Sequence, residues 1–173
     1  MLFRSVPLYG LVAEHAARVL KPGGSLVAYA GHYALPEIMP LMSAHLRYWW
    51  LLALEHAGNS ARLPGKWVMV EWKPLLWYVK GGRWGNDFVA DLLRSEMPDR
   101  VLHDWQQSEK EAAYLIERLT VRGEVVLDPM CGSGTVCVAA RRLGRRAVGM
   151  EIDHARANAA RKALGDAVSD EGP

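Results

Sequence analysis

A chain of 173 residues, half of them hydrophobic and 23% charged, has room for a substantial core and is too apolar to be disordered. A net charge of +2 permits a nucleic-acid partner without demanding one, while two cysteines, Cys131 and Cys137, exclude a disulfide framework and point to a reducing cytoplasm. No apolar run approaches the ~20 residues that span a bilayer, and the Met-Leu-Phe-Arg-Ser start lacks an apolar signal core, so neither a membrane nor secretion is expected.

Leu8, Leu11, Val12, His15, Ala16, Val19 and Leu20 fall at helical spacing and predict an amphipathic helix over 8–20, stopped by Lys21-Pro22-Gly23-Gly24. Residues 25–30 are short and mostly apolar, a buried strand. Pro36 opens a second helix with Ile38, Met39, Leu41 and Met42 inward. Residues 47–55 predict a strand, and 56–66, with Gly58, Asn59, Ser60, Pro64 and Gly65, a loop. Residues 75–79 are a strand closed by Lys80-Gly81-Gly82. Residues 81–104 show no period and form a long connection, of the kind that is often functional. Ser108 caps a helix to about Leu119, with Ala112, Leu115, Ile116 and Leu119 on one face. A strand over 124–127 leads through a Gly-rich turn into a helix ending near Leu143. Residues 146–150 are a strand, Asp153 caps a last helix to about Leu164, and the polar tail from Gly165 is expected to fray. Strands alternating with helices predict one α/β domain around a mostly parallel sheet.

The most informative stretch is Val125-Val126-Leu127-Asp128-Pro129-Met130-Cys131-Gly132-Ser133-Gly134-Thr135. An apolar strand runs into an acidic residue, then into a Gly-Ser-Gly turn that opens a helix. Glycines let a ligand approach the backbone, and the helix start offers free N–H groups. Ligands of such sheets lie beyond the carboxyl ends of the strands. The next strand ends at Met150-Glu151-Ile152-Asp153, which puts Glu151 about 20 residues after Asp128, where an acidic side chain can accept two ribose hydroxyls. The third glycine of a dinucleotide fingerprint would stand where Cys137 is, which speaks against a nicotinamide or flavin oxidoreductase.

Asp128 to Thr135 resembles the Asp-Pro-Phe-x-Gly-Ser-Gly-Thr cofactor motif of the N4-cytosine/N6-adenine DNA methyltransferases, and Gly149-Met150-Glu151-Ile152-Asp153 resembles their ribose-binding segment. His103-Asp104-Trp105-Gln106-Gln107-Ser108 stands where the permuted members carry the segment before the cofactor strand. Lys21-Pro22-Gly23-Gly24 and residues 73–81 match the family's mid-sheet landmarks. RNA guanine methyltransferases share the cofactor motif but in the opposite segment order.

The resemblance implies a circularly permuted, Rossmann-like methyltransferase fold that uses S-adenosylmethionine on double-stranded DNA, in a restriction-modification setting. Residues 1–80 would be the substrate-side half, 81–104 the target-contact connection, 105–165 the cofactor half and 166–173 a tail. Asp128, Pro129, Met130, Cys131, Gly132, Ser133, Gly134, Thr135, Glu151 and Ile152 would hold the cofactor, with Gln107 and Ser108 near its methionine carboxylate. Helix capping is an equal and compatible role for Ser108. The family's catalytic tetrapeptide, Asp/Asn/Ser-Pro-Pro-aromatic, is not found; the nearest string is Val6-Pro7-Leu8-Tyr9. The resemblance puts that motif before Met1, so the chain is expected to be an incomplete copy with no assignable catalytic residue. It would lack the strand carrying the motif, leaving strand 124–127 with an open edge prone to association. A homodimer and a non-catalytic cofactor- or DNA-binding module remain open.

Weaker signals are weighed against plainer roles. Six histidines show no metal-ligand spacing, so no metal is proposed. Cys131 is a small pocket-lining residue rather than a nucleophile, since no partner base can be named. Arg141, Arg142, Arg145 and Arg146 suit a helix end and a solvated face. Arg62, Lys66 and Trp67, with Arg83 and Trp84, combine cations and aromatics in turns and are the candidates for DNA contact, although the two tryptophans serve equally well as packing residues.

Overall fold

The structure is a computed structural model that describes residues 6–55, 61–83, 87–94 and 109–169, with side chains to Gly165 in the last helix. The chain forms two compact units, Met1–Met97 and Pro98–Pro173.

The first unit runs α1 (Val6–Val19), β1 (Ser25–Tyr29), a 3-10 turn (His32–Ala34), α2 (Leu35–Ser43), β2 (Arg47–Glu55), β3 (Ala61–Leu63), β4 (Val68–Val70), β5 (Trp72–Val79) and β6 (Leu92–Arg94). Its main sheet has the order β1-β5-β2-β6. β5 runs antiparallel to both β1 and β2, and β6 runs parallel to β2. This sheet is therefore mixed. The connection from β2 to β5 has no α-helix among its described residues, and a return without a crossover helix yields an antiparallel neighbour.

β5 is buried from Pro74 to Val79, the apolar run of a central strand covered on both faces. Leu76 and Tyr78 join Ala13, Ala16, Ile38 and Met42 in a core beneath α1 and α2. The buried Tyr78 hydroxyl donates to Met39 O at 3.1 Å and lies 3.2 Å from Ser43 Oγ, so its polar end is satisfied. α1 ends where Gly23 turns left-handed at φ 80° and donates to Lys80 O at 2.9 Å. Lys80 Nζ in turn donates to Leu20 O at 2.8 Å, a cation placed on the last carbonyls of a helix.

The second unit runs α3 (Glu109–Leu119), β7 (Val125–Asp128), α4 (Thr135–Arg142), β8 (Arg146–Gly149) and α5 (His154–Ser169). β7 and β8 are parallel, in register from Val125↔Arg146 to Asp128↔Gly149, with α4 as the crossover. Val126 and Ala147 pack against Ile116, Ala139 and Ala140. Val125, Leu127 and Val148, on the opposite face, stay exposed at 48%, 41% and 44%. Among the described residues β7 pairs only with β8, and β1 only with β5.

The α/β class and most elements match the sequence reading, but the expected mostly parallel sheet is corrected to a mixed one in the first unit, because β5 returns without a crossover helix among the described residues and runs antiparallel to both neighbours, and β4 lies where no element was expected. The expected loop over 56–66 contains β3, and the expected connection over 81–104 contains β6. Both strands are three residues long, too short to show a period, and β6 is fixed by pairing Leu92–Arg94 with Ala53–Glu55. α5 continues past Gly165 to Ser169, because one glycine costs a helix about 1 kcal/mol and need not end it.

The arginine cluster lies at helix ends. Arg142 pairs with Glu109 at 2.6 Å on the surface, a contact of small worth. Arg145 is only 8% exposed. Its guanidinium donates to Thr120 O at 2.8 Å, Thr120 Oγ1 at 3.0 Å and Leu143 O at 2.6 Å, closing the carboxyl ends of α3 and α4 together. Arg145→Ala leaves those half-buried acceptors without their donor and is expected to destabilise the chain by about 1–3 kcal/mol. Arg145→Lys should recover less than half of this, since an ammonium cannot reproduce the fork. Denaturant unfolding of the two variants measures both losses.

Candidate cofactor site

β7 delivers Asp128 to a turn that α4 leaves at Thr135. Asp128 Oδ1 accepts the Met130 N–H at 3.0 Å, which starts the turn. Gly132 and Gly134 both take left-handed conformations, φ 54° and 91°, available to them without Cβ strain. Gly134 N–H donates to Cys131 O at 2.8 Å, and Cys131 N–H donates to Met150 O at 2.9 Å, tying the turn to the end of β8.

Glu151 completes this tie. One carboxylate oxygen accepts the Gly132 N–H and the other the Asp153 N–H, each at 2.9 Å. A carboxylate has about four acceptor positions, so each oxygen keeps capacity for a further donor. An added Cβ at Gly132 would meet nothing within 4 Å, so open space adjoins the turn. Ile152, 96% exposed, stands beside Glu151, and Met130 and Met150 are also exposed. Asp153 Oδ1 accepts the Arg156 N–H at 2.9 Å and caps α5.

The electrostatics are those of a negative site. The Asp153 N–H, ahead of that of Gly132, holds Glu151 below the usual glutamate range. Burial pushes Asp128 above its usual range despite the Met130 N–H, and the Glu151 charge adds to the rise. Such a pair of carboxylates favours a cation and opposes a diphosphate.

Both thiols lie behind the turn. A Cβ at Gly149 would come within 2.9 Å of both Cys131 Sγ and Cys137 Sγ, so this position has no room for a side chain. Burial raises the Cys131 thiol, with Asp128 and Glu151 contributing, and raises Cys137 to about 11. Both remain protonated at neutral pH, the state of packing residues rather than nucleophiles. A cavity of about 290 Å³ is lined by Cys131, Cys137, Gly149, Glu151, Ala160 and Arg161, among others.

Asp128, the 129–135 turn, Glu151 and Ile152 are thus gathered at the carboxyl ends of β7 and β8. Gln107, Ser108 and Trp84 lie outside the described residues. Arg83 lies over the buried Trp77 ring at 5.3 Å, and Arg62, Lys66 and Trp67 belong to the separate β3–β4 ribbon. Sequence reasoning placed Gly149 in the ribose-binding segment but missed its close packing against the two thiols. It also missed an aromatic group where β1 ends and β5 begins: His32 against Trp72 at 4.5 Å, and Lys73 over Tyr29 at 5.7 Å. Among the described residues, no three His, Cys, Asp or Glu side chains gather as a metal site, and no helix is long and apolar enough to cross a membrane.

Comparisons with known proteins address the same segments. Residues 94–162 match the family model described as DNA methylase. The type II methyltransferase M2.DpnII of Streptococcus pneumoniae is 46% identical over 169 residues, covering 86% of this chain and 63% of its own length. The type II methyltransferase M.MthZI of Methanothermobacter thermautotrophicus is 47% identical over 79 residues, 42% of this chain and 21% of its own. This chain therefore spans less than two thirds of either relative. Among solved structures, M1.HpyAVI in its SAM complex superposes with a TM-score of 0.74 at 20% identity, covering 94% of this chain and 82% of that one. The cytosine-N4-specific PvuII DNA methyltransferase superposes with a TM-score of 0.76 at 18% identity, covering 92% and 70%. The structural likenesses carry the Rossmann-like methyltransferase fold, and over residues 94–162 and the stretch aligned with the 46% identical relative this chain is similar to the N6/N4 DNA methylases.

Proposed function

We propose that this chain binds S-adenosylmethionine at the β7–α4 turn and Glu151, and serves methyl transfer to adenine N6 or cytosine N4 of double-stranded DNA. The carrying observation is Glu151, which fixes the turn through Gly132 while both its oxygens keep acceptor capacity. Bound there, S-adenosylmethionine supplies a sulfonium-activated methyl group.

The chain's residues divide the task of holding it. Glu151 accepts the ribose hydroxyls. Ile152, with Met150 two residues before it and Met130 in the β7–α4 turn, offers exposed apolar surface for the adenine ring. Gly132 leaves the space that a side chain would fill. Asp128 and Glu151 together favour a cationic ligand, which a sulfonium with an ammonium group is and a dinucleotide diphosphate is not. Gln107 and Ser108 are assigned to the methionine carboxylate by resemblance alone. Arg62, Lys66 and Arg83, with Trp67 and Trp84, are proposed on the DNA side. The family and its type II relatives support a site-specific DNA substrate. Two free thiols accord with a reducing cytoplasm.

Calorimetry of the full chain with S-adenosylmethionine, and with NAD as control, tests the cofactor. Label transfer from methyl-labelled S-adenosylmethionine to duplex DNA tests the reaction. Binding of the first and not of NAD is expected. A folded chain that binds neither would overturn the site, and one that binds the cofactor without transferring label would restrict this chain to cofactor binding, as an incomplete copy or a non-catalytic module.

A further inference from the structure

We infer that Trp67, at the tip of the β3–β4 ribbon, stacks on a nucleobase of the bound DNA, an inference that rests on the proposed DNA substrate. Ala61, Arg62 and Leu63 pair with Val70, Met69 and Val68 in a two-stranded ribbon separate from the main sheet. The ribbon leaves the carboxyl end of β2, where β1 also ends and β5 begins, so it stands at the end of the sheet where ligands bind. That end already gathers Tyr29, His32, Trp72 and Lys73. A two-stranded ribbon is a shape the DNA major groove admits.

Two observations single out Trp67. It is 94% exposed, so its indole is not packed in a core among the described residues. It also has φ 55° and ψ 35°, the left-handed region, and no other non-glycine residue among those described has positive φ. A bulky residue adopts that conformation at a cost in strain, and such strain gathers at functional positions. A glycine would relieve the strain, so the indole itself is what the position supplies. The ribbon is also charge-matched to a polyanion: Arg62 and Lys66 are its charged residues, with no carboxylate from Ala61 to Val70. Aromatic faces beside cations are the means by which proteins hold unstacked bases. Val68 and Met69 are half-exposed and extend the apolar tip.

The test is fluorescence anisotropy of labelled random-sequence 20-mers, single-stranded and duplex, with the full chain and its variants over a range of salt. Trp67→Ala is expected to weaken single-strand binding roughly tenfold or more, with no change in salt dependence. Trp67→Phe should recover most of the loss. Arg62→Ala with Lys66→Ala should instead lower the salt slope by about one to two units. All variants should bind S-adenosylmethionine as the parent does. Trp67→Ala that binds DNA like the parent would overturn the inference and leave the proposed function standing. So would a Trp67→Ala effect confined to oligomeric state in sedimentation, which makes the tip a protein contact. No DNA binding by the parent would instead remove the substrate reading on which the inference depends.

Discussion

Glu151→Ala is expected to weaken S-adenosylmethionine binding about 100-fold or more. Hydrogen bonds to a charged group contribute about 1.5–3 kcal/mol each, and two ribose hydroxyls would lose their acceptor together. The same change frees the Gly132 and Asp153 amides, so the turn loses its brace as well as its ligand contact. Glu151→Gln separates these effects. Its single carbonyl oxygen can keep one partner but not both, and its amide group donates where the site needs an acceptor. A loss of about tenfold is expected for it. Both variants should remain folded, since the carboxylate is at the surface and its neighbours are backbone groups. Calorimetry with each variant measures the ratio.

The same contacts set the pH dependence. Glu151 is held below its usual range, so the stability it contributes is present above the unfolded glutamate value and is lost as pH falls through the lower folded value. Asp128 is raised, with the opposite sign: it favours folding below its unfolded value, and this is lost as pH rises through the raised folded one. For a cationic cofactor the ionised Asp128 is the binding form. Affinity should therefore rise with pH through the Asp128 titration and level off above it, a trend that Asp128→Asn removes.

The second unit was the more legible in sequence because its structure is local. Val125 to Thr135 encodes strand, turn and helix within one stretch, and the partner strand with Glu151 follows after a single crossover helix. Each step there has a residue signature: Asp128 at the strand end, Gly132 and Gly134 in the turn, Asp153 at the next helix cap. The first unit was less legible because its order is set by distant pairing. β5 reads as a strand in isolation, yet nothing in residues 72–79 states that it lies between β1 and β2 and runs against both. β6 exists through its pairing with Ala53–Glu55, and its three residues carry no period. The ribbon was hidden by its own turn residues, since Pro64 and Gly65 mark a loop whether or not short strands flank it. The exposure of Trp67 was not readable, because tryptophan in a sequence more often announces a core.

Gly134→Ala should be among the most damaging single-methyl changes in the second unit. The added Cβ would lie 2.9 Å from Ala160 Cβ and 3.1 Å from Ala160 Cα, and the residue would be held at φ 91°. Two costs arise independently. An L-residue in the left-handed region pays about 1–2 kcal/mol, and forcing a methyl into a packed contact pays about 1–3 kcal/mol. A destabilisation of about 2–5 kcal/mol follows, which at roughly 2–4 °C per kcal/mol is a fall in Tm of about 4–20 °C. Gly132→Ala, at φ 54° with open space around it, should pay only the strain. Gly65→Ala meets nothing and is not left-handed, so it should change stability by less than about 0.5 kcal/mol. Combining Gly134→Ala with Ala160→Gly removes the methyl contact but not the strain. Measured against Ala160→Gly alone, whose glycine itself costs α5 about 1 kcal/mol, recovery of about half the loss would show that both costs are present, while full recovery would assign the whole effect to the packing of α5 against the turn.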